Sequence, residues 1–353
     1  MSHTFPTEGG LPLVSIIISC RDEEKFIGQC LDSILQQTYP KDRLEVLVVD
    51  GMSSDKTREI VEAFIRNHPL IRLLENPKKL TPFAMNIGIK NSKGDLILFV
   101  NAHSILDKDF LKNSLYYLER TNADAVGGML NTIHDGASLM AKSISLATDS
   151  FFGTGGRRYR SRMEEGFVKD TLPYCIYRRP LFDKIGLIDE ALIRDQDEEF
   201  NYRILKNGGK IYYTPHIKSH LFIRPDLRKL WRQHFQYGYF KPLVVQKVGG
   251  ILMWRQIIPS IFVSSLFLTG LFSLITKYSL WCFMLISGSY IVANLLFSLT
   301  LSVKRGFKLF FFIAISFVTL HLSYGVGYIK GLYDFMICKR HFKQRIEDLQ
   351  LTR

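Results

Sequence analysis

The run Leu96-Ile97-Leu98-Phe99-Val100 passes straight into Asn101-Ala102-His103. Five apolar residues in a row predict a buried strand, and the amide and imidazole, two positions apart, leave its end on the same side of the chain. Both side chains can hydrogen-bond, and an imidazole can also bind a divalent cation. A second chemical group lies a hundred residues on, where Asp195, Asp197, Glu198 and Glu199 crowd the start of a helical pattern. A carboxylate there can take the proton of an attacking hydroxyl, or it can be solvated charge favoured by a helix start. Glu23 and Asp50 follow two further apolar runs, and each can accept hydrogen bonds.

The elements that must position these groups alternate. Residues 14–20 (VSIIISC), 44–49 (LEVLVV), 71–74, 95–100 and 123–129 read as strands. Helical spacing appears between them: at Phe26, Ile27, Cys30, Leu31, Ile34 and Leu35 within 23–37; after Ser54-Asp55; near 82–90; and at Leu111, Leu115, Tyr116 and Leu118. This order predicts an α/β domain with a parallel sheet, whose ligands collect beyond the carboxyl ends of the strands. Three of those ends are polar: Ser19-Cys20-Arg21-Asp22-Glu23, Asp50-Gly51-Met52-Ser53-Ser54-Asp55 and Asn101-Ala102-His103. Sharing one rim, they predict a site rather than three unrelated caps. The sequence has neither a G-x-G-x-x-G run nor a P-loop, so nucleotide phosphates would need a metal ion or Lys and Arg side chains.

The chain has 353 residues, 47% of them hydrophobic and 22% charged, and the apolar content is uneven. Residues 257–276, 278–303 and 309–329 contain no Asp, Glu, Lys or Arg, and each is long enough to cross a hydrocarbon layer of roughly 30 Å. Three C-terminal membrane helices are therefore expected, with no cleavable signal peptide at MSHTFPTEGG. The net charge of +13 points to a membrane surface rather than nucleic acid because of where it lies. Lys218, Arg224, Arg228, Lys229, Arg232, Lys241 and Lys247, opposed by Asp226, directly precede the first span, as on a cytoplasmic flank facing anionic lipid. Lys304, Arg305 and Lys308 agree with that orientation. The tail residues Lys339, Arg340, Lys343 and Arg345 do not, so either the charge rule fails there or one segment is re-entrant or interfacial. Five scattered cysteines, Cys20, Cys30, Cys175, Cys282 and Cys338, predict a reduced setting without a zinc cluster. Between the domain and the spans, Leu227, Leu230, Trp231, Phe235 and Tyr237 mixed with Arg228, Lys229 and Arg232 predict an amphipathic helix in the headgroup zone.

Four stretches in order, VSIIISCRDEEKFIGQCLDSILQQTYP, LEVLVVDGMSSDKT, NPKKLTPFAMNIGIKNSKGDLILFVNAHS and YRRPLFDKIGLIDEALIRDQDEEFNYRILKNGGKIYYTP, resemble the inverting family 2 glycosyltransferases over residues 13–215. FFGTGGRRYR, LRKLWRQHFQYG and HLSYGVGYIKGL resemble the membrane-anchored subgroup that builds bacterial exopolysaccharide, succinoglycan-chain glucosyltransferases among them. The resemblance implies a GT-A fold, a Rossmann-like mixed sheet with flanking helices that binds a nucleotide sugar. It assigns Glu23 and Asp50, with Ser19 and Arg21 beside them, to the base and ribose of the donor, and Lys79 and Asn86 to the donor pocket. Asn101-Ala102-His103 stands where the family carries a D-x-D motif for a divalent cation on the diphosphate. With His at the last position, His103 becomes the expected ligand and Mn2+ is favoured over Mg2+. Asn101 supplies no charge, so weaker metal binding is expected, and its amide is left for the sugar or ribose. His220, or else His216, is expected to add a second imidazole.

Asp197 matches the general base of the family's Glu-Asp motif, written here Gln196-Asp197, with Arg203 and the following LKNGG in family spacing and Glu198 as the rival base. Asp170 is expected to orient the acceptor. The stretch 151–169, with its glycines and basic residues, is expected to close over phosphates, and Arg232 and Gln233 to meet a lipid diphosphate. The division that follows is a cytoplasmic catalytic domain over 1–222, an interface segment over 223–250, spans over 251–331 and a basic tail over 332–353. The expected activity is transfer of one sugar from a nucleotide donor, UDP-linked, to a polyprenyl-linked saccharide at the inner membrane. Two alternatives stay open: a bare polyprenyl phosphate acceptor, whose ionised oxygen needs no base, and a catalytically weak scaffold, suggested by Asn101 in place of Asp. Nothing in the sequence predicts an oligomeric state.

Overall fold

The apolar run from residue 14 forms β1 (Val14–Cys20), buried on both faces as a parallel strand between two helical layers must be. The computed structural model of the chain describes residues 10–133, 138–155, 164–169, 171–222, 226–250 and 253–339. It divides into two units: residues up to 133 with 158–222, and residues 134–157 with those from 223 onward.

In the first unit β1 is followed by α1 (Ile27–Leu35), β2 (Leu44–Asp50), α2 (Thr57–Asn67), β3 (Ile71–Glu75), α3 (Thr81–Asn91), β4 (Leu96–Asn101), β5 (Ser104–Leu106), α4 (Phe110–Thr121) and β6 (Ala125–Ile133). In the second unit α5 (Leu139–Asp149) and α6 (Phe151–Thr154) come next, and the chain then returns to the first unit with β7 (Gly166–Val168), β8 (Ile176–Arg178), α7 (Pro180–Ile185), α8 (Gln196–Lys206) and β9 (Ile211–Phe222). The strands make one mixed sheet in the order β3-β2-β1-β4-β8-β6-β9-β5, with β7 also on β9. β1 to β4 are parallel, β8 runs against β4 and β6, and β6 runs parallel to β9.

Alternation along β1 sorts its side chains between two cores. Ile16 and Ile18 pack with Leu31 of α1, Val61 of α2 and Leu115 of α4, whereas Ile17 packs with Ile89 of α3, Phe182 of α7 and Phe200 of α8. Each such buried side chain contributes on the order of 1.5–3 kcal/mol relative to exposure. On the second face α3 comes so close that a Cβ on Gly88 would lie 2.3 Å from Ile17 Cγ2. The expected helix over 23–37 starts later, at Ile27, because the Glu23 carbonyl accepts from the Phe26 and Ile27 N–H groups in a preceding turn. The expected parallel sheet is mixed, since the short strands β5, β7 and β8 are antiparallel to their neighbours.

The second unit holds α9 (Leu227–Val248), α10 (Ile258–Phe272), α11 (Lys277–Arg305) and α12 (Phe310–Gly331), which continues as a π-helical stretch Leu332–Ile337. Among the described residues three helical stretches, Trp254–Phe272, Lys277–Arg305 and Phe307–Ile337, are long and apolar enough to cross a membrane. Residues 134–157, expected in the catalytic domain, belong here: Ile144 and Ala147 of α5 pack with Ile313, Phe317 and Leu320 of α12. The amphipathic helix expected to lie in the headgroup zone is α9, and its buried side is spent on α12. Glycines permit that approach: a Cβ on Gly238 would sit 2.1 Å from Tyr324 O, one on Gly327 2.2 Å from Phe235 O, and one on Gly331 2.2 Å from Tyr239 O. Small residues at helix contacts are the usual solution where two backbones must touch.

Overpacking at the α3–β1 contact gives a direct check on the first unit. Gly88→Ala is expected to destabilise it by about 1–3 kcal/mol, read as a lower melting temperature of the detergent-solubilised protein.

Candidate active site

Strand register brings the polar ends together. Across β1, Cys20 pairs with Asp50 of β2 and Ser19 with Asn101 of β4, so the three carboxyl ends lie side by side. The loops beyond β1 and β2 are then tied by side chains. Asp22 N–H donates to Ser53 Oγ (2.9 Å), Ser54 N–H to Asp22 Oδ1 (2.7 Å) and Glu23 N–H to Thr57 Oγ1 (2.7 Å). Asp22 turns the chain with a left-handed φ of 52°, which short polar residues tolerate best.

Asp50 is fully buried. Its Oδ2 accepts from Ser53 N–H (3.1 Å) and from Arg58 Nη1 (3.3 Å), its Oδ1 accepts from the Ser53 hydroxyl, and Arg58 Nη2 reaches on to Glu75 (2.9 Å). Both oxygens are engaged, so contact with a base or ribose requires Ser53 or Arg58 to give way. Arg21 packs over Gly51, whose added Cβ would lie 3.2 Å from Arg21 Cβ. Its Nε is buried without a hydrogen-bond partner among the described residues and faces Asp22 Oδ2 at 3.8 Å. Ser19 stands half-buried next to it, and Lys79 is exposed in a left-handed turn (φ 62°) before α3.

At the third strand end His103 Nδ1 lies 3.0 Å from Glu23 Oε1, and 22% and 16% of the two side-chain surfaces stay open. Asn101 Nδ2 donates to Tyr174 Oη (3.0 Å), and Tyr174 Oη lies 2.6 Å from Ser104 Oγ. Tyr174 and Ser104 carry no sequence signal for this role; Tyr174 is 73 positions from Asn101. Burial holds the Tyr174 hydroxyl well above the ordinary tyrosine range, its hydrogen bonds to Ser104 and Asn101 pull it down, and the charge of Asp197 adds to the rise.

α8 is tied to the segment that carries Tyr174 by Asn201, whose Nδ2 donates to Leu172 O (2.9 Å). Asp197 is exposed in the first turn of α8, which leaves the left-handed Asp195 at φ 59°. Its neighbours are occupied differently. Glu198 is buried, and Glu199 is buried in a two-point pair with Arg203 (2.9 and 2.8 Å). Of these three acids Asp197 is the exposed one.

The remaining expected residues fall elsewhere. His220 sits on β9 opposite Ile105 with Nε2 bound to Asp107 (2.7 Å). The Nε2 of the expected second imidazole is thus occupied by Asp107. His216 stacks on Tyr117, with ring centroids 6.0 Å apart. Asn86 does not face a donor: Nδ2 donates to Ile188 O and Glu190 Oε1 (2.9 Å each), and Oδ1 accepts from Ile188 N–H (3.0 Å). It ties α3 to the loop before α8. Asp170 and residues 156–163 lie outside the described residues. Arg232 and Gln233 are on α9 in the second unit, with Gln233 donating to Tyr237 Oη (3.0 Å).

Among the described residues no group of three or more His, Cys, Asp or Glu side chains is placed to hold a metal ion. The donor set here is one imidazole backed by a carboxylate. That suits a cation held mainly by diphosphate oxygens, as substrate-bound divalent ions commonly are.

Residues 15–186 match the family model for glycosyl transferase family 2. Over 328 residues the chain is 30% identical to a Methanococcus voltae protein, covering 90% of this chain and 97% of the relative. This chain belongs to glycosyl transferase family 2. That relative is named dolichyl N-acetyl-alpha-D-glucosaminyl phosphate 3-beta-D-2,3-diacetamido-2,3-dideoxy-beta-D-glucuronosyltransferase. The transferase is also 24% identical to the succinoglycan biosynthesis protein ExoA of Rhizobium meliloti, over 91% of this chain and 95% of that one. Among solved structures it shares its fold with the mannosyltransferase PcManGT from Pyrobaculum calidifontis, in complex with GDP-Man and Mn2+. The TM-score is 0.59 at 17% identity, over 94% of this chain and 90% of that one.

Cys30 lies beneath the rim of the transferase, its thiol 3.8 Å from Asn101 O. Burial, then the Glu23 charge, pushes this thiol from 9.0 up to about 12. The stability gained by keeping it neutral is intact below pH 9.0 and is lost as pH rises toward about 12, because the unfolded chain ionises first. Melting temperature followed upward from pH 9.0 is expected to fall less steeply in Cys30→Ala than in the wild type, by at most about 1.4 kcal/mol per pH unit.

Proposed function

We propose that this transferase moves one sugar, with inversion, from a UDP-linked donor to a polyprenyl-linked saccharide at the cytoplasmic face of the inner membrane. The observation that carries the reading is the exposed carboxylate of Asp197 on α8, the helix that Asn201 ties to the segment bearing Tyr174, which in turn holds Asn101. A proton acceptor and the donor-side strand ends therefore serve one reaction.

On the donor side Ser19, Arg21 and Asn101 meet the nucleotide sugar, and the Arg21 guanidinium, whose Nε makes no hydrogen bond among the described residues, supports an anion there. His103 would hold a divalent cation, Mn2+ in preference to Mg2+ for an imidazole ligand. Bound there, such an ion would neutralise charge on the departing diphosphate. Asp197 takes the proton of the acceptor hydroxyl as that oxygen bonds to the anomeric carbon. The bond from that carbon to the diphosphate oxygen breaks on the opposite side, its electron pair leaves with the nucleoside diphosphate, and the proton on Asp197 passes to water.

The lipid side has its own support. The Methanococcus voltae relative is named for a dolichyl-linked substrate, and the described helices include three able to cross a membrane. Basic residues before the first of them favour a cytoplasmic flank. On α9, Arg232 and Gln233 are the groups proposed for the acceptor's diphosphate.

Purified protein with radiolabelled UDP-sugars and lipid-linked saccharides tests this. Asp197→Asn is expected to lower transfer by about 10²–10⁴-fold with UDP binding unchanged. Equal turnover in the two proteins sinks the base assignment. Transfer to bare polyprenyl phosphate matching the best saccharide acceptor sinks the acceptor assignment.

A further inference from the structure

Glu23 stands among residues expected to contact the nucleotide, but its carboxylate faces an imidazole, 3.0 Å from His103 Nδ1. Neither residue is free to drift. Glu23 N–H is held by Thr57 Oγ1 at 2.7 Å, and its carbonyl accepts from Phe26 N–H (2.9 Å) and Ile27 N–H (3.0 Å). The His103 carbonyl accepts from Phe222 N–H at 3.2 Å. Two anchored backbones therefore present the pair to each other.

A neutral imidazole has one N–H and one lone pair, and the partner of one nitrogen decides which atom carries which. An ionised carboxylate only accepts, so Glu23 requires the proton on Nδ1 and leaves the lone pair on Nε2. With the opposite tautomer the pair would set two lone pairs against each other, and Nε2 would carry a hydrogen where a ligand is needed.

We propose that Glu23 is a positioning residue: it fixes His103 as the Nδ1–H tautomer and so presets Nε2 to bind the divalent cation that accompanies the donor diphosphate. The inference rests on the reading that His103 binds that cation. It replaces the expected role of Glu23 as a contact to base or ribose. Carboxylates behind metal-binding imidazoles act this way in general, and their loss costs about 10–100-fold in metal affinity.

The test uses the full-length protein in detergent with UDP and Mn2+. Bound metal is followed by electron paramagnetic resonance, nitrogen coupling to the ion by spin-echo modulation, and metal-free UDP binding by calorimetry in chelator. In the wild type an imidazole coupling is expected, and His103→Ala should abolish it. Glu23→Ala should weaken Mn2+ binding by about 10–100-fold, and Glu23→Gln, which keeps the shape but also offers an amide N–H, by about tenfold, with metal-free UDP binding unchanged in both. Wild-type affinity for Mn2+ in Glu23→Leu, which keeps the bulk but accepts no hydrogen bond, overturns the proposal even if the alanine variant fails to fold. A matching loss of metal-free UDP binding also overturns it and returns Glu23 to the nucleotide. Absence of imidazole coupling in the wild type removes the metal role of His103 itself, an outcome distinct from failure of the Glu23 role alone.

Discussion

Everything chemical in the first unit depends on the parallel alignment of β1 with both its neighbours. Because β1, β2 and β4 run in phase, Cys20 meets Asp50 and Ser19 meets Asn101, and three loops leave the sheet from adjacent points. A slip of one residue in either pairing would exchange the two faces of a strand. Ile17 would then leave the core of α3, α7 and α8 for that of α1, α2 and α4, so packing of the two helical layers holds the strand ends where they are. The same alignment places a buried carboxylate at a strand end. Asp50 is tolerated because Ser53 and Arg58 satisfy it, as a buried charge must be satisfied.

The parts of this architecture that repeat were readable from sequence, and the parts that depend on single side-chain directions were not. β1 to β4 and the helices between them follow from runs and periods, and the structure keeps them within a few residues. β5, β7 and β8 are three residues long, too short for any period to appear, and they make the sheet mixed. At the rim, residue type allowed several roles each. His220 has a metal-binding ring but is turned to Asp107, and the Asn86 amide is taken up by the 188–190 loop. Glu23 looked like a nucleotide contact and faces His103. Tyr174 joins the site only through tertiary contact with Asn101 and Ser104.

In the second unit the pattern on α9 was ambiguous for a physical reason: one apolar stripe serves equally well against lipid or against another helix. Glycines at 238, 327 and 331 let the backbones of α9 and α12 meet, while Trp231 on α9 stays exposed. Charge is buried there as well. Asp334, with no exposed surface, accepts from Tyr239 Oη at 2.9 Å and faces Lys330 Nζ at 3.1 Å. Partners of this kind are what an acidic side chain requires inside an apolar bundle.

Three consecutive acids at the start of α8 show how a helix sorts identical chemistry by direction. Each residue advances the side chain by about 100° around the axis, so Asp197 reaches solvent while Glu198 and Glu199 turn inward. Phe200 and Ile204, buried on the same helix, fix its inward face, so the spacing from Asp197 to Phe200 acts as a gauge. A residue added or removed between them would turn a different carboxylate outward, whereas one in the loop before α8 would leave the helix facing as it does. Natural variation should consequently be intolerant of changes in length within that first turn, however freely the loop ahead of it drifts.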